Sequence, residues 1–367
     1  MSRGSFSPTL AGSQLLAATV SEGEIPAPLP EPTGAGRRLV AEWEPHTRTF
    51  MSWPAREDVW AGYLDDVRWN IAELARAIAY YEPVVMLARP EQADAAQRAC
   101  GSGVQTVELA VDDLWARDTV PVFVRESAGV VGVDLNFNGW GGKQPHDDDA
   151  RLGRELLSRC RIPRVRAPFV GEGGALETDG AGTLLVTASS LVNENRNPGS
   201  SRETLTTELR ETLGVEQVVW FDGVAGEDVT DAHVDCLARF AAPGIVLLDT
   251  AFPDAPADSW SRSAEQARAV LAAATDARGR GFEVVELPQP DPDVITGEGA
   301  EFVASYTNFY IGNGAVFVPR FGDRRADDRA QGILREHFAD REIVPVSIDE
   351  IAAGGGGIHC ATHDQPA

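Results

Sequence analysis

The chain has 367 residues, and its 56 acidic side chains against 32 basic ones leave a formal charge of −24 at neutral pH. Nucleic acid and anionic lipid surfaces are both disfavoured as partners, because each needs basic groups to displace counterions, so cationic or neutral partners are expected. Apolar residues make up 43%, enough for a sizeable core, and nowhere do they run to the roughly 18 in succession that a transmembrane helix needs.

The first 38 residues include five prolines and little periodicity, which predicts a flexible or loosely docked arm before a single domain over 39–367. The expected location is the cytoplasm, with a cleaved export segment in this arm as the alternative. Apolar residues at helical spacing predict helices at about 63–81, 91–100, 147–160, 200–213, 259–277 and 325–339. Between them lie short runs rich in Val, Ile, Leu and Phe, read as strands: Val84–Ala88, Val120–Val124, Val131–Leu135, Leu184–Thr187, Val218–Phe221, Ile245–Leu248, Val284–Leu287 and Ala315–Val318. Such alternation argues an α/β fold. Neither a dinucleotide-binding Gly-x-Gly-x-x-Gly after an early strand nor a Walker-type loop is present.

Five polar clusters stand out from ordinary loop sequence: Trp115-Ala116-Arg117-Asp118, Gly171-Glu172-Gly173-Gly174, Asp231-Ala232-His233-Val234-Asp235, Thr307-Asn308-Phe309 and His359-Cys360. Their anchors at 118, 172, 233, 308 and 360 are 54, 61, 75 and 52 residues apart. A supersecondary unit repeated around an axis would bring one cluster from each unit to a common centre.

The four cysteines, Cys100, Cys160, Cys236 and Cys360, show no CxxC spacing, so neither a zinc site nor a disulfide framework is expected. Cys100 and Cys160 end helical stretches and Cys236 lies in an apolar run, so these three read as small buried hydrophobes. Cys360 follows four glycines and Ile358-His359; missing Cβ atoms let a ligand approach the backbone there, which makes it a candidate nucleophile. His46, His146 and His337 read as solvated surface groups, His359 is expected to face away from the thiol, and His363 is a minor candidate. His233 is preferred as proton donor and acceptor because Asp235, two residues on, faces the same side of an extended segment. A metal on His233-x-Asp235 is the rival reading, but no second histidine stands near it at ligand spacing.

Glu172 is either a surface turn residue or a pocket acid, and Asp118 either pairs with Arg117 or joins that pocket. Asp118, Glu172, His233, Asp235 and Cys360 together make three carboxylates around one thiol and one imidazole. Negative charge opposes thiolate formation, so the set makes sense only if the substrate brings positive charge. A guanidinium fits, since its planar fork of donors meets carboxylates bidentately and its carbon is the electrophile.

These residues resemble those of agmatine deiminases and the related bacterial peptidylarginine deiminases, within the guanidino-group-modifying superfamily. The resemblance runs from Trp43 to Pro366 through ordered motifs: Met51-Ser52-Trp53-Pro54, Trp115-Ala116-Arg117-Asp118, Asn136-Phe137-Asn138-Gly139-Trp140-Gly141-Gly142, Glu172-Gly173-Gly174, Asn193-Glu194-Asn195-Arg196-Asn197-Pro198, His233-Val234-Asp235, Ser305-Tyr306-Thr307-Asn308-Phe309-Tyr310 and Gly354 to Cys360. It implies a five-bladed α/β propeller with pseudo-fivefold symmetry. It also implies deimination in which Asp118 and Asp235 hold the guanidinium, Cys360 attacks its carbon, His233 moves protons and Glu172 orients His233 and contacts the substrate. Trp115 would pack on the substrate's methylenes and Asn308 would line the pocket, with no metal or organic cofactor.

Two departures bear on the substrate's far end. Gly357 stands where the family usually has asparagine, with His363-Asp364 in its glutamine region, and Val229 stands where many agmatine deiminases carry an acid. Agmatine is the expected substrate. A protein or peptide arginine, or another small guanidino compound, is the first alternative. An amidinotransferase and a catalytically silent guanidinium or polyamine binder follow it. Homo-oligomerisation is left open by the sequence.

Overall fold

The computed structural model describes residues 34, 36–253, 255–297, 299 and 301–367. Most of the arm expected over 1–38 therefore lies outside the described residues. Its last part is tied down: the Arg37 guanidinium lies 2.6 Å from Glu126, and Arg38–Leu39 pairs antiparallel with Val122–Glu126. Among the described residues no helix is long and apolar enough to cross a membrane.

The fold is α/β, and the described residues form five separate sheets that each mix antiparallel and parallel pairing. Each contains one repeated unit: a first strand pairs antiparallel with a second, and a helix then crosses over to a third that is parallel to the second. In chain order four of the triplets are Val122–Glu126, Gly129–Asp134, Arg164–Arg166; Glu177–Thr178, Thr183–Thr187, Gln217–Phe221; Ala238–Ala242, Ile245–Thr250, Glu283–Pro288; and Tyr310–Gly312, Ala315–Arg320, Glu342–Ser347. The fifth joins distant parts of the chain. His363–Pro366 pairs antiparallel with His46–Ser52, which runs parallel to Val84–Ala88, and that strand carries Val104–Glu108 on its other edge.

The crossover helices are Leu64–Ala79, Asp149–Cys160, Arg202–Leu213, Ser259–Ala273 and Arg324–His337. They form where the 3.6-residue apolar period predicts them, because a strand's apolar face must be covered and a parallel connection needs length. In Arg202–Leu213 the buried leucines 205, 209 and 213 recur every four residues and pack on Leu184 and Val186. Ser201 caps its start by accepting from the Thr204 N–H, and Gly214, with φ of 69°, ends it.

Two boundaries differ from the sequence reading. The helix expected over 259–277 stops at Ala273, because Asp276 accepts the N–H groups of Arg278 and Arg280 and folds the next segment into a turn. The strand expected at Val120 begins at Val122, after a helical turn over Ala116–Thr119 and after Pro121, which has no N–H to give a ladder. Strands such as His46–Ser52, Ala238–Ala242 and Glu342–Ser347 escape the sequence reading because polar residues break a plain apolar run.

The repeat accounts for the cluster spacing. Asp118, Glu172, His233, Asn308 and Cys360 each lie two to five residues ahead of the first antiparallel strand of a unit. Each therefore occupies the same loop of its own unit.

Candidate active site

Cys360 sits in a turn, held on two sides by one side chain. Asn308 accepts the Cys360 N–H through Oδ1 at 3.2 Å, while its Nδ2 lies 3.2 Å from Cys360 Sγ. The run of glycines ahead of the thiol has a steric reason: a Cβ on Gly356 would stand 2.3 Å from the Trp115 ring. Trp115 itself is buried, with its ring 6.0 Å from that of Trp60.

Asp235 Oδ2 lies 3.5 Å from Cys360 Sγ and 2.7 Å from His359 Nδ1. The other ring nitrogen of His359 meets Glu42 at 3.1 Å. His359 thus bonds an acid of the site; the expectation that it points away assumed strand alternation, whereas His359 and Cys360 lie in a turn. Burial opposes charge on Asp235, but the hydrogen bond and charge of His359, followed by the charges of His233 and Arg239, lower its pKa to about 2. Its Oδ1 is buried without a hydrogen-bond partner.

His233 immediately precedes the short helical turn Val234–Cys236, so this segment is not the extended strand the sequence reading assumed. Its ring nevertheless lies among the acids, with Nε2 3.3 Å from Glu172 and Nδ1 3.6 Å from Asp118. Burial alone would depress its pKa; the Asp118 and Glu172 carboxylates overcome that and raise it to about 9. The imidazole is therefore protonated at neutral pH.

Glu172 is wholly buried and receives Arg196 Nε at 2.7 Å. Burial would raise its pKa, but His233 and Arg196 outweigh that and lower it. Asp118 does not pair with its neighbour. Arg117 turns instead to Glu42 and Asp364, while Asp118 accepts from Trp140 Nε1 at 2.9 Å and from the Gly174 N–H at 3.0 Å. Burial raises the Asp118 pKa, with His233 opposing and Glu172 and Asp235 adding to it. Gly174 marks where the groups converge: a Cβ there would meet His233 Nδ1 at 2.6 Å, Asp118 Oδ1 at 2.9 Å and Asp235 Oδ2 at 3.1 Å.

For Cys360, a hydrogen bond with Cys236 lowers the pKa, but burial and the Asp235 and Asp118 charges together raise the thiol above its ordinary value. A neutral thiol, an imidazolium and three carboxylates make a pocket suited to a cation.

The loop carrying His233 is strained. Asp231 and Ala232 both have positive φ, 61° and 63°, a conformation that is costly without glycine. Arg196 Nη1 and Lys143 Nζ each pin the Asp231 carboxylate at 2.8 Å, and Thr187 Oγ1 donates to the Ala232 carbonyl.

Asp118, Glu172, His233, Asp235, Asn308, Trp115 and Cys360 are therefore gathered in one place. Arg196, Trp140, His359 and Glu42 also serve it, and the sequence reading passed over them as site residues. For Arg196 and Trp140 the available signal was their place in the ordered motifs that carry the family resemblance. Cys236 is a further addition, since Asn308 Nδ2 lies 3.2 Å from its Sγ as well; it is more than a small buried hydrophobe. Nor is His46 a surface group. It is buried between Glu82 and Asp364; burial lowers its pKa, but these acids overcome that and raise it to about 9. His363 is buried too, with Nδ1 donating to the Asp364 carbonyl at 2.9 Å.

A family described as Porphyromonas-type peptidyl-arginine deiminase matches residues 38–366. An agmatine deiminase of Stutzerimonas stutzeri is 39% identical over 92% of this chain and 97% of its own length. One of Medicago truncatula is 36% identical, covering 92% and 98%. Among solved structures, the agmatine deiminase of Enterococcus faecalis superposes with a TM-score of 0.84 at 31% identity over 92% of this chain and 99% of that one.

Proposed function

The chain belongs to the Porphyromonas-type peptidyl-arginine deiminase family, and from that membership and the gathered side chains we propose that it converts agmatine and water to N-carbamoylputrescine and ammonia. Asp118 and Asp235 accept the guanidinium N–H groups, and the cation they hold lowers the pKa of the neighbouring thiol. The thiol proton leaves to solvent as the bound cation favours the thiolate, and Cys360 Sγ, as thiolate, attacks the guanidinium carbon and forms a C–S bond. His233 gives its proton to the departing ammonia, then takes one from the water that attacks the amidino thioether. Collapse breaks the C–S bond and releases the ureido product. Glu172 keeps His233 oriented and protonated, Trp115 flanks the methylenes, and Asn308 holds the thiol. No step calls for a metal or organic cofactor.

The observation that carries this reading is the His233 ring 3.3 Å from Glu172 and 3.6 Å from Asp118, with Cys360 Sγ 3.5 Å from the third acid, Asp235. A thiol protease needs an imidazole that has taken the thiol's proton; here the imidazolium serves as acid for the leaving ammonia. We also infer that the five units stand as blades about one axis, a five-bladed propeller forming a single catalytic domain. Their shared topology and the common loop position of the clusters support this.

The substrate is tested by ammonia release from agmatine, arginine, 4-guanidinobutyrate and an arginine peptide. Agmatine should have the highest kcat/KM. Preference for the peptide would shift the reading to protein arginine, and silence with all four would end it. Product analysis with an added amine separates hydrolysis from amidino transfer.

A further inference from the structure

We propose that Asp235, Cys236 and Cys360 form a binding site for a thiophilic divalent cation of the Zn2+ type, which blocks the catalytic thiol while it is bound. One donor atom from each residue lies within 4.8 Å of the other two. Cys236 ends the helical turn that follows His233, and this turn delivers its thiol to Cys360, 124 residues away in sequence. The Asn308 amide lies 3.2 Å from both sulfurs, so the thiols share one neighbour.

Tetrahedral zinc holds sulfur at about 2.3 Å and carboxylate oxygen at about 2.0–2.2 Å, which sets donors a little under about 4 Å apart. Closing to that spacing takes a side-chain adjustment of about 1 Å. The carboxylate is prepared for it. Asp235 is fully buried, its Oδ1 has no hydrogen-bond partner, and its Oδ2 is fixed by His359 at 2.7 Å, which Glu42 backs in turn. An outer partner of this kind orients metal-ligating groups. Asp118 and Glu172 add negative charge nearby.

Two sulfurs select zinc or cadmium over magnesium or calcium, and three protein donors leave a fourth position for water. Binding displaces both thiol protons to solvent. It also occupies the sulfur that would attack and the carboxylate that would accept a guanidinium N–H, so ion and substrate exclude each other. That competition rests on the proposed deimination; the metal site itself does not. The absence of CxxC spacing gave no hint of such a site, because its donors converge only through the tertiary fold.

The test uses the full chain, freed of metal, titrated with Zn2+ against a chromophoric chelator and separately with Co2+. One ion per chain is expected, with a sulfur-to-cobalt charge-transfer band. Cys236→Ala, Cys236→Ser and Cys360→Ala should each weaken binding by about 100-fold or more, with circular dichroism showing them folded. In the kinetic arm, Zn2+ should inhibit competitively against agmatine, and its inhibition constant should rise about 100-fold in Cys236→Ala, measured against that variant's own uninhibited rate. Absence of binding, a cobalt spectrum without the thiolate band, or affinity unchanged in Cys236→Ala each overturns the site. If no guanidine is turned over, the chelator and cobalt readings still decide it.

Discussion

His233 is raised from 6.5 to about 9, so it carries its proton at pH 7 and loses it as pH rises through about 9. A mechanism that needs the imidazolium as acid therefore predicts an alkaline limb in kcat/KM near pH 9. Glu172→Gln removes one of the raising carboxylates and should move that limb toward neutrality by about one pH unit; a limb that stays in place would detach His233 from the acid role. Asp235 is the opposite case at the same single-residue scale: against burial, His359 above all lowers it to about 2. His359→Gln should raise the Asp235 pKa, shift the acid limb upward and increase KM about 10-fold. An unchanged acid limb would leave His359 with no more than a packing role.

Elements decide how those residues meet. The loop ahead of Glu177–Thr178 passes so close to the site that Gly174 has no room for a methyl group. Gly174→Ala should lower kcat/KM by about 100-fold or more with little change in thermal stability, since the added carbon would displace His233 and two acids. Retained activity would mean that the site relaxes around it. The crossover helices bear the stability instead. Leu209 lies wholly buried in Arg202–Leu213, and Leu209→Ala should cost about 2–5 kcal/mol in denaturant unfolding, whereas kcat/KM of the folded fraction should hold. The helices were legible because their apolar period repeats over three turns or more, while two of the first antiparallel strands were not, since Glu177–Thr178 and Tyr310–Gly312 are too short for any period to register.

Across the whole molecule, the strand His363–Pro366 closes a sheet with His46–Ser52, and a buried histidine stands at the seam. Against burial, Glu82 and Asp364 raise His46 to about 9. A raised histidine contributes stability that is full below about pH 6.5 and lost as pH rises through about 9, here about 3 kcal/mol. Urea midpoints for the wild type should therefore fall between about pH 6 and about pH 9.5, and by less in His46→Gln; equal falls would assign the loss elsewhere.

The sequence by itself determined the α/β class, the spacing of the repeat and the set of Asp118, Glu172, His233, Asp235 and Cys360, because helical periods, glycine runs and polar clusters out of keeping with loops are local signals, while Trp115 and Asn308 entered the site through the family resemblance. Only the tertiary structure decided how those side chains face one another. It turned Arg117 away from Asp118, brought His359 onto Asp235, set Arg196 behind Glu172 and placed Cys236 beside Cys360. Orientation and proton affinity depend on charges and hydrogen bonds from other units, and no spacing along the chain encodes a distance across it.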